Sequence, residues 1–142
     1  MNILIMGLPG AGKTTLAAAL QKRLNASWHN ADEIRKQFND WDFSAEGRIR
    51  QAIRMSQLAA MDIFDGWQHT ICDFVAPTKE IRDIFDADYT IWVDTIKEGR
   101  FEDTNKLFEP PTQYDMRVIE QDAERWATII AHAISIKELN ER

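Results

Sequence analysis

Cys72 is the only cysteine among the 142 residues. One thiol excludes an internal disulfide framework and suits a reducing compartment. No apolar run approaches the ~20 residues that a membrane-spanning helix needs. The opening Met1-Asn2-Ile3-Leu4-Ile5-Met6 is apolar, but it lacks a basic flank and breaks at Gly7, too soon for the core of a signal peptide. A soluble, cytoplasmic protein is expected, with no membrane partner. Basic residues are the minority: 17 Lys and Arg against 23 Asp and Glu give a formal net charge of −6. That balance argues against a non-specific nucleic-acid binder, whose affinity rests on neutralising phosphates, although a local field can still attract an anion. The three histidines, His29, His69 and His132, show no metal-ligand spacing. There is no repeat, low-complexity tract or interdomain linker. The length suits one domain, residues 1–142. The apolar fraction of 44% and charged fraction of 28% are ordinary enough to exclude wholesale disorder.

What is present alternates between strand-like and helix-like patterns. Ile3 to Met6 is a continuous apolar run, as expected of a strand covered on both faces. Thr14 to Leu24 follows with helical spacing. Ser27 to Asn30 is a weak strand, and Asp32 to Phe38 a short helix. Ser44 opens a long helix whose apolar face is expected at Ile49, Ile53, Ser56, Ala60, Ile63 and Trp67, with Gly66 near its end. His69 to Val75, halted by Pro77, and Tyr89 to Asp94 read as central strands, with a brief helix at Lys79 to Phe85 between them. Lys97 to Pro111 reads as an irregular loop and Met116 to Ile119 as an edge strand. A last helix, Asp122 to Ile136, carries Trp126, Ile129, Ile130, Ala133 and Ile134 on one side. This order predicts an α/β protein: five parallel strands in a sheet between two helical layers.

One string carries the chemistry. Gly7-Leu8-Pro9-Gly10-Ala11-Gly12-Lys13-Thr14 satisfies G-x-x-x-x-G-K-[ST] without a mismatch, after an apolar strand and at the start of a helix. Glycines let the backbone wrap closely and turn N–H groups inward at a helix N-terminus, where an anion is favoured. Lys13 brings a point charge to the β- and γ-phosphates, and the Thr14 hydroxyl can hold Mg2+. The expected ATP-binding set is Gly7, Leu8, Pro9, Gly10, Ala11, Gly12, Lys13, Thr14 and Thr15, and with this loop the alternating elements are read as the three-layer P-loop, nucleoside-monophosphate-kinase-like fold. A guanine-reading Asn-Lys-x-Asp is missing; the nearest string, Asn105-Lys106-Leu107-Phe108, lacks the carboxylate. Asp73 ends an apolar strand at the place of an outer-shell Mg2+ carboxylate, with helix capping or pairing with a lysine as the alternative. Asp32, just before Glu33, reads as a helix N-cap. Cys72 reads as a small buried hydrophobe.

From Gly7 to Pro111 the chain resembles the adenylylsulfate (APS) kinase family, which transfers the γ-phosphoryl of ATP to the 3′-hydroxyl of adenosine 5′-phosphosulfate. The resemblance runs through Asn30-Ala31-Asp32-Glu33-Ile34-Arg35, then Phe43-Ser44 with Arg48 and Gln51, then Phe74-Val75-Ala76-Pro77 with Arg82. It ends with Val93-Asp94-Thr95 and the stretch Phe101 to Pro111. It implies that Lys13 and Asp32 are catalytic, Asp32 accepting or orienting the proton of the attacking hydroxyl or holding a Mg2+-bound water. It also implies that Asp32, Arg35, Phe43, Arg48, Gln51, Val75 and Phe101 bind the acceptor. Arg48, Gln51 and Arg54 are expected on one stripe opposite the apolar face of the long helix. Guanidinium forks suit phosphate and sulfate. Phe43 and Phe101 would stack the adenine at about 1–3 kcal/mol per face. Thr14 and Asp73 are the expected Mg2+ residues.

The chain departs from the family pattern at four places. Ala76 replaces a serine that can carry phosphate, so direct in-line transfer is the expected route. Gln51 replaces an asparagine, and Asn30 replaces the first acid of a pair. Only Thr95 to Arg100 lies between Asp94 and Phe101, where the family carries a longer, basic lid; Lys97 and Arg100 remain to serve there. The expected reaction is ATP + adenylylsulfate → ADP + 3′-phosphoadenylylsulfate, with Mg2+. The alternatives are a related kinase acting on another nucleoside, nucleotide or small hydroxylated acceptor, and a non-catalytic nucleotide-binding module. A small-molecule acceptor and a homodimer are the expected partners.

Overall fold

The computed structural model describes residues 1–141. Eleven elements alternate along the chain: β1 Asn2–Met6, α1 Lys13–Leu24, β2 Ser27–Asn30, α2 Ala31–Phe38, α3 Ala45–Phe64, β3 Thr70–Asp73, α4 Lys79–Phe85, β4 Tyr89–Val93, α5 Glu102–Leu107, β5 Met116–Val118 and α6 Ala123–Asn140. The five strands form one sheet in the order β2-β3-β1-β4-β5, and every pairing is parallel.

The apolar run of β1 is continuous because both faces of the sheet are covered. Ile3 and Ile5 point to one side, where Leu16, Ala17 and Leu20 of α1 pack with Ala127, Ile130 and Ile134 of α6. Leu4 and Met6 point to the other, against Ile34 of α2, Ala52, Met55 and Ala59 of α3, and Ile81 and Phe85 of α4. Alternate residues of a strand face opposite ways, so two different cores read the same five residues. Cys72 lies within the second core, where burial pushes its thiol up. Among the described residues no helix is long and apolar enough to cross a membrane.

This strand order fixes where a ligand can sit. The chain leaves β1 in one direction to form β2 and β3, and in the other to form β4 and β5, so the crevice at the carboxyl ends of the strands opens around β1. Asn30 and Asp73 are in-register partners, and Asp73 in turn pairs with Ile5. The ends of β1, β2 and β3 therefore stand side by side.

Several local expectations are corrected. Asp32 does not cap its helix: α2 starts at Ala31, and the side chain of Asn30 accepts the hydrogen bond from the Glu33 N–H at 3.1 Å. Lys97 to Pro111 is not loop throughout, because Glu102–Leu107 is helical; its sequence, Glu-Asp-Thr-Asn-Lys-Leu, is too polar to show a period. The largest correction is the rotation of α3. Its buried positions are Gly47, Gln51, Ala52, Met55 and Ala59, while Ile53 and Ile63 are exposed, as is Trp67 beyond its end. Small residues line its inner face, and at Gly47 a Cβ would stand 2.1 Å from the carbonyl oxygen of Asp42, in the segment that leads into the helix. The helix carries two apolar faces, and the one with less bulk is inside. Gln51 consequently lies within the protein rather than on an outer stripe with Arg48. In α6, Ile129 is exposed and Ala133 only half-buried, and the helix runs on to Asn140.

Candidate active site

The loop between β1 and α1 is shaped by its glycines. Gly7 has φ +151°, and an added Cβ would meet the Val93 carbonyl oxygen at 2.5 Å, so a side chain there would push the loop off β4. Gly12, at φ +102°, leads into α1, whose first N–H groups have no intrahelical partner and no side-chain cap. The loop is strapped from outside. Thr95 Oγ1 donates to the Ala11 carbonyl at 2.7 Å, and Gln121 Nε2 donates to the Gly10 and Ala11 carbonyls at 3.2 Å each. Leu8 and Ala11 are buried, while Gly10, Thr14 and Thr15 are exposed and Pro9 lies between. Lys13 is buried, and its Nζ folds back to donate to the Leu8 carbonyl at 3.0 Å. Burial lowers the ammonium from its ordinary 10.5 to about 8; the carboxylates of Asp73 and Asp32 oppose the shift, and the charge of Arg100 adds to it.

A compact polar network stands beside the loop. Asp73, 2% exposed at the end of β3, accepts hydrogen bonds from Trp28 Nε1 at 2.6 Å and from Asn30 Nδ2 at 3.1 and 3.3 Å. Thr14 Oγ1 donates to Asp73 Oδ1 at 3.4 Å and accepts from Asn30 Nδ2 at 3.1 Å. Burial raises the Asp73 carboxyl, and the bonds from Trp28 and Asn30 and the charge of Lys13 pull it back. Asp32 stands in the first turn of α2 with its side chain exposed. Among the described residues its carboxylate has no hydrogen-bond partner, so it is free at the mouth of the site.

Oxygen donors of this kind suit Mg2+, which takes one or two protein oxygens and completes its shell with phosphates and water. Thr14 and Asp73 fit that role. Among the described residues no group of three His, Cys, Asp or Glu could hold a metal ion by itself.

The segment from Asp40 to Arg54 forms an arginine shelf. Arg35 is buried; its Nη1 donates to the Asp40 and Asp42 carbonyls at 2.9 and 3.1 Å, and its guanidinium lies 4.2 Å from the Phe43 ring centre. Arg50 forks onto Asp40 at 2.8 and 3.1 Å and also reaches Asp42, while Arg54 donates to Asp40 at 3.0 Å. These bonds hold the Asp40 carboxyl well below the usual carboxylate range. Gln51 is engaged at both ends, donating to the Ala31 carbonyl and accepting from Arg54. Arg48 uses only its Nε, donating to the Phe43 carbonyl at 2.9 Å, and Phe43 is 49% exposed.

Phe101, equally exposed, precedes α5 with Arg100 at 5.3 Å from its ring centre. Gly99 and Asn105 exchange two hydrogen bonds, which close the short segment against Pro9 and bring Arg100 toward the phosphate loop. Val75 is half-buried beyond β3, and Ala76 holds a positive φ of 46° while its carbonyl accepts from Arg82 Nε.

The residues that sequence reasoning missed are Trp28, Asp40 and Gln121. Only Trp28 left a signal: it stands two places before Asn30, on the same face of β2. A cleft of about 190 Å3 beside Gly12 and Thr15, walled by Val118, Gln121 and Trp126, offers room next to the loop.

A glycine loop after the first strand, a lysine and a hydroxyl at its helix, a buried aspartate at the end of the neighbouring strand β3 and a second one in the first turn of α2, on a 2-3-1-4-5 parallel sheet, define a P-loop kinase. A family model described as adenylylsulphate kinase matches residues 1–117, and the chain belongs to that family. It is a kinase that binds ATP and phosphorylates a hydroxyl group of a small molecule. No curated protein sequence matches the chain. Among solved structures, the APS kinase of Mycobacterium tuberculosis in complex with AMPPNP and APS superimposes with a TM-score of 0.76 at 18% identity, covering 94% of this chain and 96% of that one. The hexameric APS kinase of Thiobacillus denitrificans gives 0.73 at 22% identity, over 96% of this chain and 29% of that one. The shikimate kinase of Aquifex aeolicus gives 0.67 at 16%, over 98% and 99%. Identities this low carry the fold alone.

Proposed function

We propose that this chain is an adenylylsulfate kinase, transferring the γ-phosphoryl of ATP to the 3′-hydroxyl of adenosine 5′-phosphosulfate. What carries the reading is the family match, whose span includes the phosphate loop, the helix of Asp32 and the helix of Arg48. The neighbour solved with AMPPNP and APS supports it.

In this reading residues Gly7 to Thr15 bind the polyphosphate, with Lys13 moving from the Leu8 carbonyl to the β- and γ-phosphates. Asp32 accepts the proton of the attacking hydroxyl as its oxygen bonds to phosphorus and the bond to the ADP oxygen breaks. Mg2+, when bound through Thr14 and Asp73, neutralises charge on the phosphate oxygens. Ala76 has no hydroxyl to take the phosphoryl group, so transfer is direct. Arg48 and Phe43 bind the acceptor's anion and base, with Phe101 and Val75 lining the same space. Arg35 and Gln51 act by holding the shelf that presents Phe43 and Arg48. The chain acts as one kinase domain.

Engagement of Arg35 and Gln51 within the protein favours one second reading, a kinase for another hydroxylated anion. Labelled ATP offered with adenylylsulfate, nucleosides, shikimate and sugar acids decides between them. Labelled 3′-phosphoadenylylsulfate is the expected product; no turnover of adenylylsulfate beside brisk turnover of another acceptor would replace the substrate.

Two further outcomes are expected. Arg48→Ala should raise KM for the acceptor about 10- to 100-fold, the loss of one charge-assisted hydrogen bond of about 1.5–3 kcal/mol, with kcat nearly kept. Unchanged acceptor kinetics would remove Arg48 from the acceptor site.

The second concerns pH. With its pKa lowered to about 8, Lys13 is charged in the free protein below that pH and increasingly neutral above it. A polyphosphate favours the charged form, so binding above pH 8 must take up a proton. ATP affinity should therefore fall about tenfold per pH unit above that value. Calorimetry at pH 9 in buffers of different ionisation enthalpy should register the proton. An affinity that stays flat with pH would show that Lys13 does not meet the anion.

A further inference from the structure

The carboxylate of Asp73 is useful only if one oxygen is kept for the Thr14 side of the site, and a buried carboxylate on a short strand end has a free torsion that would otherwise let it turn away. The structure supplies the restraint from β2. Trp28 and Asn30 stand two residues apart, so both side chains lie on one face of that strand. Asn30 pairs in register with Asp73, and Trp28 with Ile71. This brings the indole N–H to Asp73 Oδ2 at 2.6 Å.

The two donors are of different kinds. An indole nitrogen can only donate, so the Trp28 contact has one polarity. A carboxamide can present either end, but Asn30 Oδ1 already accepts the Glu33 N–H that starts α2, which fixes Nδ2 toward Asp73 and Thr14. Asn30 reaches both carboxylate oxygens, at 3.1 and 3.3 Å, and so does not select between them. Trp28 touches Oδ2 alone. Oδ1 is then left facing the Thr14 hydroxyl at 3.4 Å.

We propose that Trp28 is the positioning residue of this site: its indole N–H pins Oδ2 of Asp73 and thereby aims Oδ1 and the Thr14 hydroxyl together at the magnesium side of the nucleotide. This rests on the nucleotide and Mg2+ part of the reading above and is independent of which acceptor is used. Partners behind a ligating group typically change metal affinity by about 10- to 100-fold when removed.

The test measures ADP binding by calorimetry, in excess Mg2+ and in EDTA, without an acceptor. Wild-type protein is expected to bind ADP more tightly with Mg2+. Trp28→Phe, its fold checked by circular dichroism, is expected to keep its affinity in EDTA within about twofold while losing at least about tenfold of the Mg2+-dependent gain. A Phe variant that keeps the full gain, or loses as much in EDTA as in Mg2+, overturns the role of Trp28, the latter because the indole then supports the loop as a whole. A wild-type protein with equal affinity in Mg2+ and EDTA overturns instead the metal side of the site, and this role with it. Should Trp28→Phe not fold, β-(3-benzothienyl)alanine at position 28 exchanges only the N–H for sulfur in a ring of the same shape, and the same outcomes decide.

Discussion

Lys13→Ala is expected to reduce phosphoryl transfer by on the order of 10³-fold or more, since it removes the one cation buried against the phosphate loop, and such charge stabilisation is the largest component of this chemistry. The fold should survive. Among the described residues the Lys13 ammonium makes a single hydrogen bond, to the Leu8 carbonyl, and burial disfavours its charge in the folded chain. Alanine relieves that cost, so the thermal midpoint should hold or rise. Single-turnover transfer from labelled ATP, beside a melting curve, separates the two effects. Transfer within tenfold of wild type would show that the loop works without its lysine. A collapsed melting temperature would show instead that the Leu8 contact holds the loop together.

Asp32→Asn is expected to lower kcat by about 10²- to 10⁴-fold, while ATP affinity at about pH 6, where Lys13 stays charged with or without the Asp32 carboxylate, changes by no more than about threefold. The residue sits in the first turn of α2, exposed, with no partner among the described residues, and α2 is capped by Asn30. An amide at position 32 therefore disturbs neither the cap nor the core, and what it removes is a proton acceptor. The variant tests chemistry in isolation, which Asn30→Ala could not, because Asn30 also holds Asp73 and Thr14. If kcat for Asp32→Asn stayed near wild type, the hydroxyl proton would leave by another route.

Much of this was legible along the chain. The octapeptide Gly7 to Thr14 names its own geometry, because glycines at fixed offsets, a lysine and a hydroxyl are all local requirements of one turn. The strands were legible where β1 and β4 run apolar on both faces. The polar helix Glu102–Leu107 was not, since it has no face to bury and is held by the Gly99–Asn105 bonds at its start. Periodicity also pointed to the wrong side of α3. Ile49, Ile53 and Ile63 make a better stripe on paper than Gly47, Ala52 and Ala59, but close packing against the sheet and α4 selects the smaller residues.

The sequence by itself therefore determined the alternation of strands and helices, the phosphate loop and the identity of its lysine and threonine, all set by neighbours within a turn or two. Only the tertiary structure decided that Trp28 meets Asp73, that Asp40 gathers Arg50 and Arg54, and that Gln51 braces α2. Trp28 and Asp73 lie 45 residues apart in sequence, and their meeting depends on the parallel register that places Asn30 opposite Asp73. Side-chain pairing across a sheet follows from which strands become neighbours, a consequence of burying both faces of β1 at once, and no local pattern of residues encodes it.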